Sequence, residues 1–156
     1  MYKFLKSKRG FTLVELTIVV VIMAILVAVA VPIYSAVTAN AKKKTCVANQ
    51  RELIAQLTNY GMSNFDKPMN TGTITIKTNT EGDGYDAGSL DCGAVFDDNG
   101  ETLLGMFQKM PYCPIAGNTI RIFVEKEVAE GEYFIRSECY DADNDVTDHK
   151  YNPDKT

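Results

Sequence analysis

The chain has 156 residues, enough for one small domain beside a hydrophobic segment, with 16 basic and 20 acidic residues and a net charge of −4. The basic residues crowd the two ends of one apolar run, in residues 1–10 and again at Lys42, Lys43, Lys44 and Arg51, so the rest of the chain is acidic. An acidic body argues against binding to nucleic-acid phosphates, which needs clustered Lys and Arg, and no direct contact with nucleic acid is expected.

The first predicted element is a long helix that follows the basic leader. The run from Phe11 to Val31 contains one charged residue, Glu15, and ends at Pro32. About 20 apolar residues are enough to cross a bilayer as a helix. A charge at that depth costs roughly 2.5–3.5 kcal/mol even on insertion scales. Glu15 is therefore a candidate functional residue that needs a partner.

The junction Gly10-Phe11-Thr12-Leu13-Val14-Glu15 resembles the N-terminal signal of type IV pilins and of their relatives, the pseudopilins of type II secretion and competence systems. The resemblance implies that a membrane-bound prepilin peptidase cuts between Gly10 and Phe11 and then methylates the new amine of Phe11. It also implies that Glu15 pairs with the Phe11 amine of a neighbouring subunit during assembly. Pro32 stands where the family often has a helix-breaking proline, next to which the helix unwinds in the filament.

Two ordinary explanations of this segment compete with the pilin signal. A secretory signal has a basic start, a short apolar core and an A-x-A cleavage site, for which residues 28–30 would serve. A plain single-pass membrane anchor needs only the apolar length. Neither explanation accounts for Glu15 placed five residues into the run, directly behind Gly-Phe-Thr.

The helix is predicted to continue to about Tyr60 and to become amphipathic in its second half. There the apolar residues recur at helical spacing, and they are Cys46, Val47, Leu53, Ile54 and Leu57. The chain then divides into a leader at 1–10, a transmembrane or filament-core half-helix at 11–34, an amphipathic half-helix at 35–62 and a globular β-rich domain at 63–156.

The globular domain is predicted to contain a strand over 71–78, a loop over 81–99 and a short helix over 101–109. Two further strands, over 119–124 and 132–139, are predicted to form an antiparallel hairpin. The tail from Asp141 is expected to be irregular. The predicted fold class is α+β, with a long N-terminal helix whose C-terminal half packs on a small antiparallel sheet, as in type IV pilins.

Four cysteines in a domain that the resemblance places outside the cell predict disulfides. Of three possible connectivities we favour Cys113–Cys139, which would brace the hairpin, together with Cys46–Cys92, which would pin the middle loop to the helix. Buried thiols are the alternative if the compartment is not oxidising. Because the chain has no C-x-x-C pair, a zinc site is not expected.

The acidic tail contains alternating carboxylates of the kind found in calcium loops, at Asp141, Asp143, Asp145 and Asp148. It is not an EF-hand, because Val146 stands where glycine is required and Asn152 where glutamate is required. Calcium is therefore the one cofactor considered, and a solvated acidic tail is the simpler interpretation.

The prediction for function is a structural subunit, and more specifically a major pilin. The protein would sit in the cytoplasmic membrane with its globular part outside, and an assembly platform with an ATPase would extract it into a filament of its own copies. The alternatives are a pseudopilin of a type II secretion or DNA-uptake system, and a membrane-anchored extracellular binding module. Enzymatic activity is not expected, because a Ser-His-Asp or Cys-His device would have to use the single histidine, His149, which is expected to lie in a floppy tail.

Overall fold

A computed structural model describes residues 11–64, 69–86, 89–92, 95–96, 100–126, 133–149 and 151. The elements are helix α1 (Leu13–Ser63), strand β1 (Gly72–Lys77), helix α2 (Glu101–Gly105), strand β2 (Thr119–Lys126) and strand β3 (Tyr133–Tyr140). A long N-terminal helix with a small antiparallel sheet is the α+β fold that the sequence predicts. The chain divides into two compact units, Met1–Ala39 and Asn40–Thr156, and α1 contributes residues to both.

Helix α1 begins with a capping box formed by Thr12 and Glu15. The backbone N–H and the hydroxyl of Thr12 both donate to Oε2 of Glu15 at 2.9 Å, and the Glu15 N–H donates to Oγ1 of Thr12 at 3.3 Å. This exchange satisfies backbone donors that a helix start otherwise leaves without partners. The helix therefore begins at Leu13, and it continues through Pro32 without interruption.

The part of α1 in the first unit, Leu13–Ala39, exposes its apolar side chains. Val20 and Leu26, for example, are 60% and 63% exposed. Within the described residues, α1 is the one helix long and apolar enough to cross a membrane, a criterion that signal sequences and core helices of soluble proteins also meet. A core helix would be buried, whereas none of this apolar stretch is.

The second unit packs the end of α1 and the sheet around one hydrophobic core. From α1, buried residues recur every three or four positions, at Cys46, Gln50, Leu53 and Leu57. The described strands form an antiparallel meander in the order β1-β2-β3, with Ile74 opposite Ile122 and Ile122 opposite Ser137. Alternate strand residues are buried in this core, namely Ile74, Ile76, Ile120, Ile122, Val124, Ile135, Ser137 and Cys139.

The predicted hairpin is confirmed by the pairing of β2 with β3, although its turn, with Gly131, lies outside the described residues. The predicted helix over 101–109 is too long, because α2 ends at Gly105. Met106 and Phe107 donate three residues back, to the carbonyls of Leu103 and Leu104, and such tight bonds close a helix. Leu103 and Met110 are buried, whereas Leu104 is 40% exposed.

The C-terminal segment is irregular but packed, which corrects the expectation for His149. The Thr147 N–H donates to the carbonyl of Cys139 at 2.8 Å. The side-chain amide of Gln50 donates to the carbonyl of His149 at 2.9 Å and accepts from the Tyr151 N–H at 3.0 Å. These contacts hold the segment against α1, and the exposed fraction of His149 is only 6%.

Candidate functional sites: the helix start and a buried cysteine–histidine cluster

The predicted cleavage and assembly residues lie at the start of α1. Gly10 is outside the described residues, and Phe11 is 80% exposed two positions before the helix. Glu15 lies one turn further along, with its carboxylate held by Thr12. No other residue from Phe11 to Ala41 is charged. The first unit thus presents an apolar helix surface with one carboxylate, and hydrogen bonds from Thr12 hold that carboxylate in place.

A second site is buried in the other unit, and we call it the Cys3His cluster. Its members are Cys46 of α1, Cys113 before β2, Cys139 of β3 and His149 of the C-terminal segment. One ligand atom from each, three sulfurs and a ring nitrogen, lie within 4.8 Å of one another. The three cysteines are fully buried. Within the described part of the chain, no other group of histidine, cysteine or carboxylate side chains converges closely enough to hold a metal ion.

Side-chain amides point at two of the sulfurs. Nε2 of Gln50 donates to Sγ of Cys46 at 3.4 Å, and Nδ2 of Asn118 donates to Sγ of Cys139 at 3.7 Å. An amide NH2 group has hydrogens to give and no lone pair to accept with, so both sulfurs act as acceptors.

His149 presents one ring nitrogen to the sulfurs and the other to a carboxylate. Its Nε2 lies 3.6 Å from Sγ of Cys113, and its Nδ1 lies 3.3 Å from Oδ1 of Asp148. The other oxygen of Asp148 pairs with Nζ of Lys43 at 2.8 Å. A carboxylate beside Nδ1 favours the tautomer with the proton on that nitrogen, and this tautomer has its lone pair on Nε2, facing the cluster.

The three thiols titrate as a group because their sulfurs are in contact. Hydrogen bonds from Cys113, then from Cys46, lower the pKa of the Cys139 thiol. The hydrogen bond with Cys113, followed by that with Cys139 and by burial, raises the pKa of Cys46. Within the cluster, the Cys139 thiol is therefore the one whose ionisation the neighbouring sulfurs favour.

The structure contains neither of the predicted disulfides, since Cys46, Cys113 and Cys139 are thiols in it. Cys113 and Cys139 are neighbours, as the first pairing requires, but Cys46 lies with them instead of with Cys92. Cys92 is buried elsewhere, where a Cβ added to Gly100 would come 2.6 Å from its sulfur. The predicted pairing did not anticipate that Cys46 lies beside Cys113 and Cys139. Packing of α1 on the sheet brings these three sulfurs together, and a disulfide joins only two.

The carboxylates considered for calcium do not converge. Oδ1 of Asp141 accepts the backbone N–H groups of Asp143 and Asp145, at 3.1 and 2.9 Å, within its own turn. Asp148 points instead at Lys43 and His149. Asp141 thus shapes the loop and Asp148 contacts the Cys3His cluster, and the structure gives no support to calcium binding here.

Comparison with known proteins bears on the helix start. Residues 5–31 match the family defined by the prokaryotic N-terminal methylation motif. The chain is also similar to the "Fimbrial protein" of Neisseria meningitidis serogroup B (strain ATCC BAA-335 / MC58), with 34% identity over 74 residues that cover 47% of this chain and 44% of the relative. Both findings support a type IV pilin-like assignment of the chain. Proteins of the pilin and fimbrial family are structural and not enzymatic.

The pilin match has a limited span. The chain covers less than half the length of the meningococcal relative. No solved structure matches the chain. The matched motif and the apolar N-terminal helix fit a chain that is anchored in a membrane by its N-terminal segment.

The Cys3His cluster was missed at the sequence level, and a weak signal for it exists. The ligands are separated by 67, 26 and 10 positions, at residues 46, 113, 139 and 149, so no compact motif marks them. The available signal was the helical spacing of Cys46 with Leu53 and Leu57, which places a cysteine on the buried face of α1. His149, predicted to lie in an irregular tail, had no sequence signal that we recognise.

Proposed function

We propose that this protein is the major, polymerising subunit of a type IV pilus. The observation that carries the proposal is the part of α1 that lies in the first unit. It is an exposed apolar helix whose one charge is Glu15, and it directly follows a basic leader. Prepilin peptidase cuts between Gly10 and Phe11 and methylates the Phe11 amine. The retained glutamate favours a subunit that polymerises along the whole filament.

The apolar surface of residues 13–39 explains why such a subunit must be covered both in the membrane and in the filament. Exposed apolar surface is stabilised by about 25 cal/mol for each Å² removed from water. Before assembly the bilayer covers this helix, with the globular domain outside the cell. In the filament, helices of other copies cover it, through a head-to-tail contact that does not close and therefore propagates.

Glu15 sets the register of that contact in our proposal. Thr12 binds Oε2 of the carboxylate, and a carboxylate has acceptor sites on both oxygens. The Phe11 ammonium of a neighbouring copy pairs with Glu15 while the capping box persists. An unpaired charge inside the bundle is strongly unfavourable, so copies that are out of register are rejected.

Pro32 and the assembly machinery complete the proposal. Proline lacks the N–H that would bond four residues back, so the helix is weakest in the turn before Pro32. We expect the helix to loosen there when the filament forms. Because extraction from the membrane requires energy, it is attributed to an assembly platform with a separate ATPase.

The test compares Glu15→Gln with two matched variants in cells that make the filament. Glutamine keeps the capping box, since Gln serves at this position as Glu does, but it removes the charge. Breaking a buried ion pair costs about 3–5 kcal/mol, so surface filaments should fall at least about a hundredfold in Glu15→Gln. Thr12→Ala weakens the cap and keeps the charge, and Glu52→Gln removes an exposed charge from the second unit; both should assemble.

Electron microscopy and quantification of sheared surface protein give the readout. Filaments as abundant in Glu15→Gln as in the parent would contradict the proposed pairing. If the parent makes no pili and its loss abolishes protein secretion or DNA uptake, the subunit is a pseudopilin. A protein that works normally as a monomer with Glu15→Gln would instead be a membrane-anchored binding module.

A further inference from the structure

The Cys3His cluster has the dimensions of a four-coordinate metal site. Ligand atoms at about 2.0–2.3 Å from a central ion, at tetrahedral angles, lie roughly 3.5–3.8 Å apart. Sγ of Cys113 and Nε2 of His149 are 3.6 Å apart, and all four ligand atoms lie within 4.8 Å of one another. A small contraction would place every ligand atom at bonding distance from one ion.

The types of donor point to a particular metal. Thiolate sulfur selects soft or borderline ions, and three sulfurs with one imidazole form a known type of structural zinc site. All four ligands are protein side chains that are buried, so no coordination position is left open for a substrate. Such a closed site stabilises structure.

The surroundings of the cluster also match those of a metal site. Metal-bound histidines commonly donate their second ring N–H to a carboxylate, and here Asp148 is placed to accept it from Nδ1 of His149. The amides of Gln50 and Asn118 donate to the sulfurs of Cys46 and Cys139. These donors would offset the negative charge that three thiolates bring to one ion.

We propose that the Cys3His cluster binds one Zn²⁺ ion per chain. Three Zn–S bonds and one Zn–N bond form, the thiols still protonated release their protons to solvent, and no oxidant is involved. The ion ties α1 to the sheet through Cys46 and Cys139, and it fastens the C-terminal segment through His149. This inference is independent of the proposed pilus, because it concerns the second unit alone.

A disulfide accounts for the cluster less well. A bond between Cys113 and Cys139 would use two of the four groups and leave the Cys46 thiol and the His149 ring buried beside it without a shared role. Zinc uses all four. The two possibilities exclude each other, because sulfurs in a disulfide are no longer thiolate ligands.

The first experiment measures metal and oxidation state in the full chain. The protein is extracted from membranes in detergent without chelator or reductant, and metals are measured by mass spectrometry against protein concentration. We expect one zinc per chain and an intact mass with all cysteines reduced. Replacement of zinc by Co²⁺ should give the sulfur-to-cobalt charge-transfer bands and the intense visible bands of tetrahedral thiolate coordination.

The variants separate a metal site from ordinary buried cysteines. Cys46→Ala, Cys113→Ala, Cys139→Ala and His149→Ala should each lose the zinc, whereas Cys92→Ala, which removes a buried cysteine outside the cluster, should keep it. His149→Cys retains four ligands and should keep one metal per chain, with a shifted Co²⁺ spectrum. This last variant keeps the test decisive if the alanine variants do not fold.

Three results would overturn the proposal. One is a metal-free chain whose mass and peptide map show a Cys113–Cys139 disulfide. Another is a metal-free chain in which the cysteines are all reduced and which does not bind added Zn²⁺ or Co²⁺. The third is zinc that remains in every cluster variant, because that metal would be bound elsewhere.

Discussion

The two units of this chain handle apolar surface in opposite ways. In the first unit, side chains such as Val20 are 60% exposed, and no described residue of this segment of α1 is buried. In the second unit, Leu53 of the same helix is fully buried in a core shared with the sheet. One continuous helix therefore contains a segment that needs other molecules and a segment that is satisfied internally.

The same contrast holds for the polar groups. Glu15 is exposed, and in our proposal its charge pairs with the Phe11 amine of another copy. Gln50 uses its amide within the chain, donating to Cys46 and His149 and accepting from Ser137 and Tyr151. The difference shows where function is to be sought, because an exposed charge in an apolar segment marks the proposed assembly surface, whereas buried amides with partners mark the fold.

Of the substitutions that test this contrast between the two units, Leu53→Ala is expected to change the free energy of unfolding most. Emptying a fully buried leucine site costs about 2–5 kcal/mol, so the free energy of unfolding of the second unit should fall by that amount. The matched change Val20→Ala lies in the exposed segment and should alter it by less than about 0.5 kcal/mol.

Urea unfolding of the full chain in detergent, followed by the near-ultraviolet circular dichroism of its tyrosines, measures both variants. Equal losses of stability in Leu53→Ala and Val20→Ala would break the comparison, because the first segment would then belong to the same folded core.

A smaller effect is expected from Gln50→Ala. The substitution leaves the Ser137 hydroxyl, the Tyr151 N–H and the His149 carbonyl without the partner they have now. A buried polar group that loses its partner costs about 1–3 kcal/mol, and the same urea titration should show a loss in that range. Gln56→Ala, on the exposed side of α1, is the control and should be near neutral. A neutral Gln50→Ala would mean that this amide does not hold the C-terminal segment in place.

The sequence predicted the features that depend on residues close together in the chain, and it did not predict those that depend on tertiary packing. The start of α1 and the β2–β3 hairpin follow from residues close together in the chain, such as Thr12 with Glu15. The Cys3His cluster depends on tertiary packing, because Cys139 faces Cys46 only once β3 is paired and α1 is docked on the sheet. His149 was misjudged for the same reason: nothing beside it in the sequence indicates that Gln50, 99 positions earlier, binds its carbonyl.

The central claim is that the chain is processed as a pilin subunit, and the most direct test is the intact mass of the protein in sheared surface fractions and in membranes. Our account predicts a mature chain in the surface fraction that begins at Phe11 and is one methyl group heavier than its sequence. A chain that begins at Val31, as after an ordinary secretory signal, or one that retains Met1 and remains in the membrane, would contradict it.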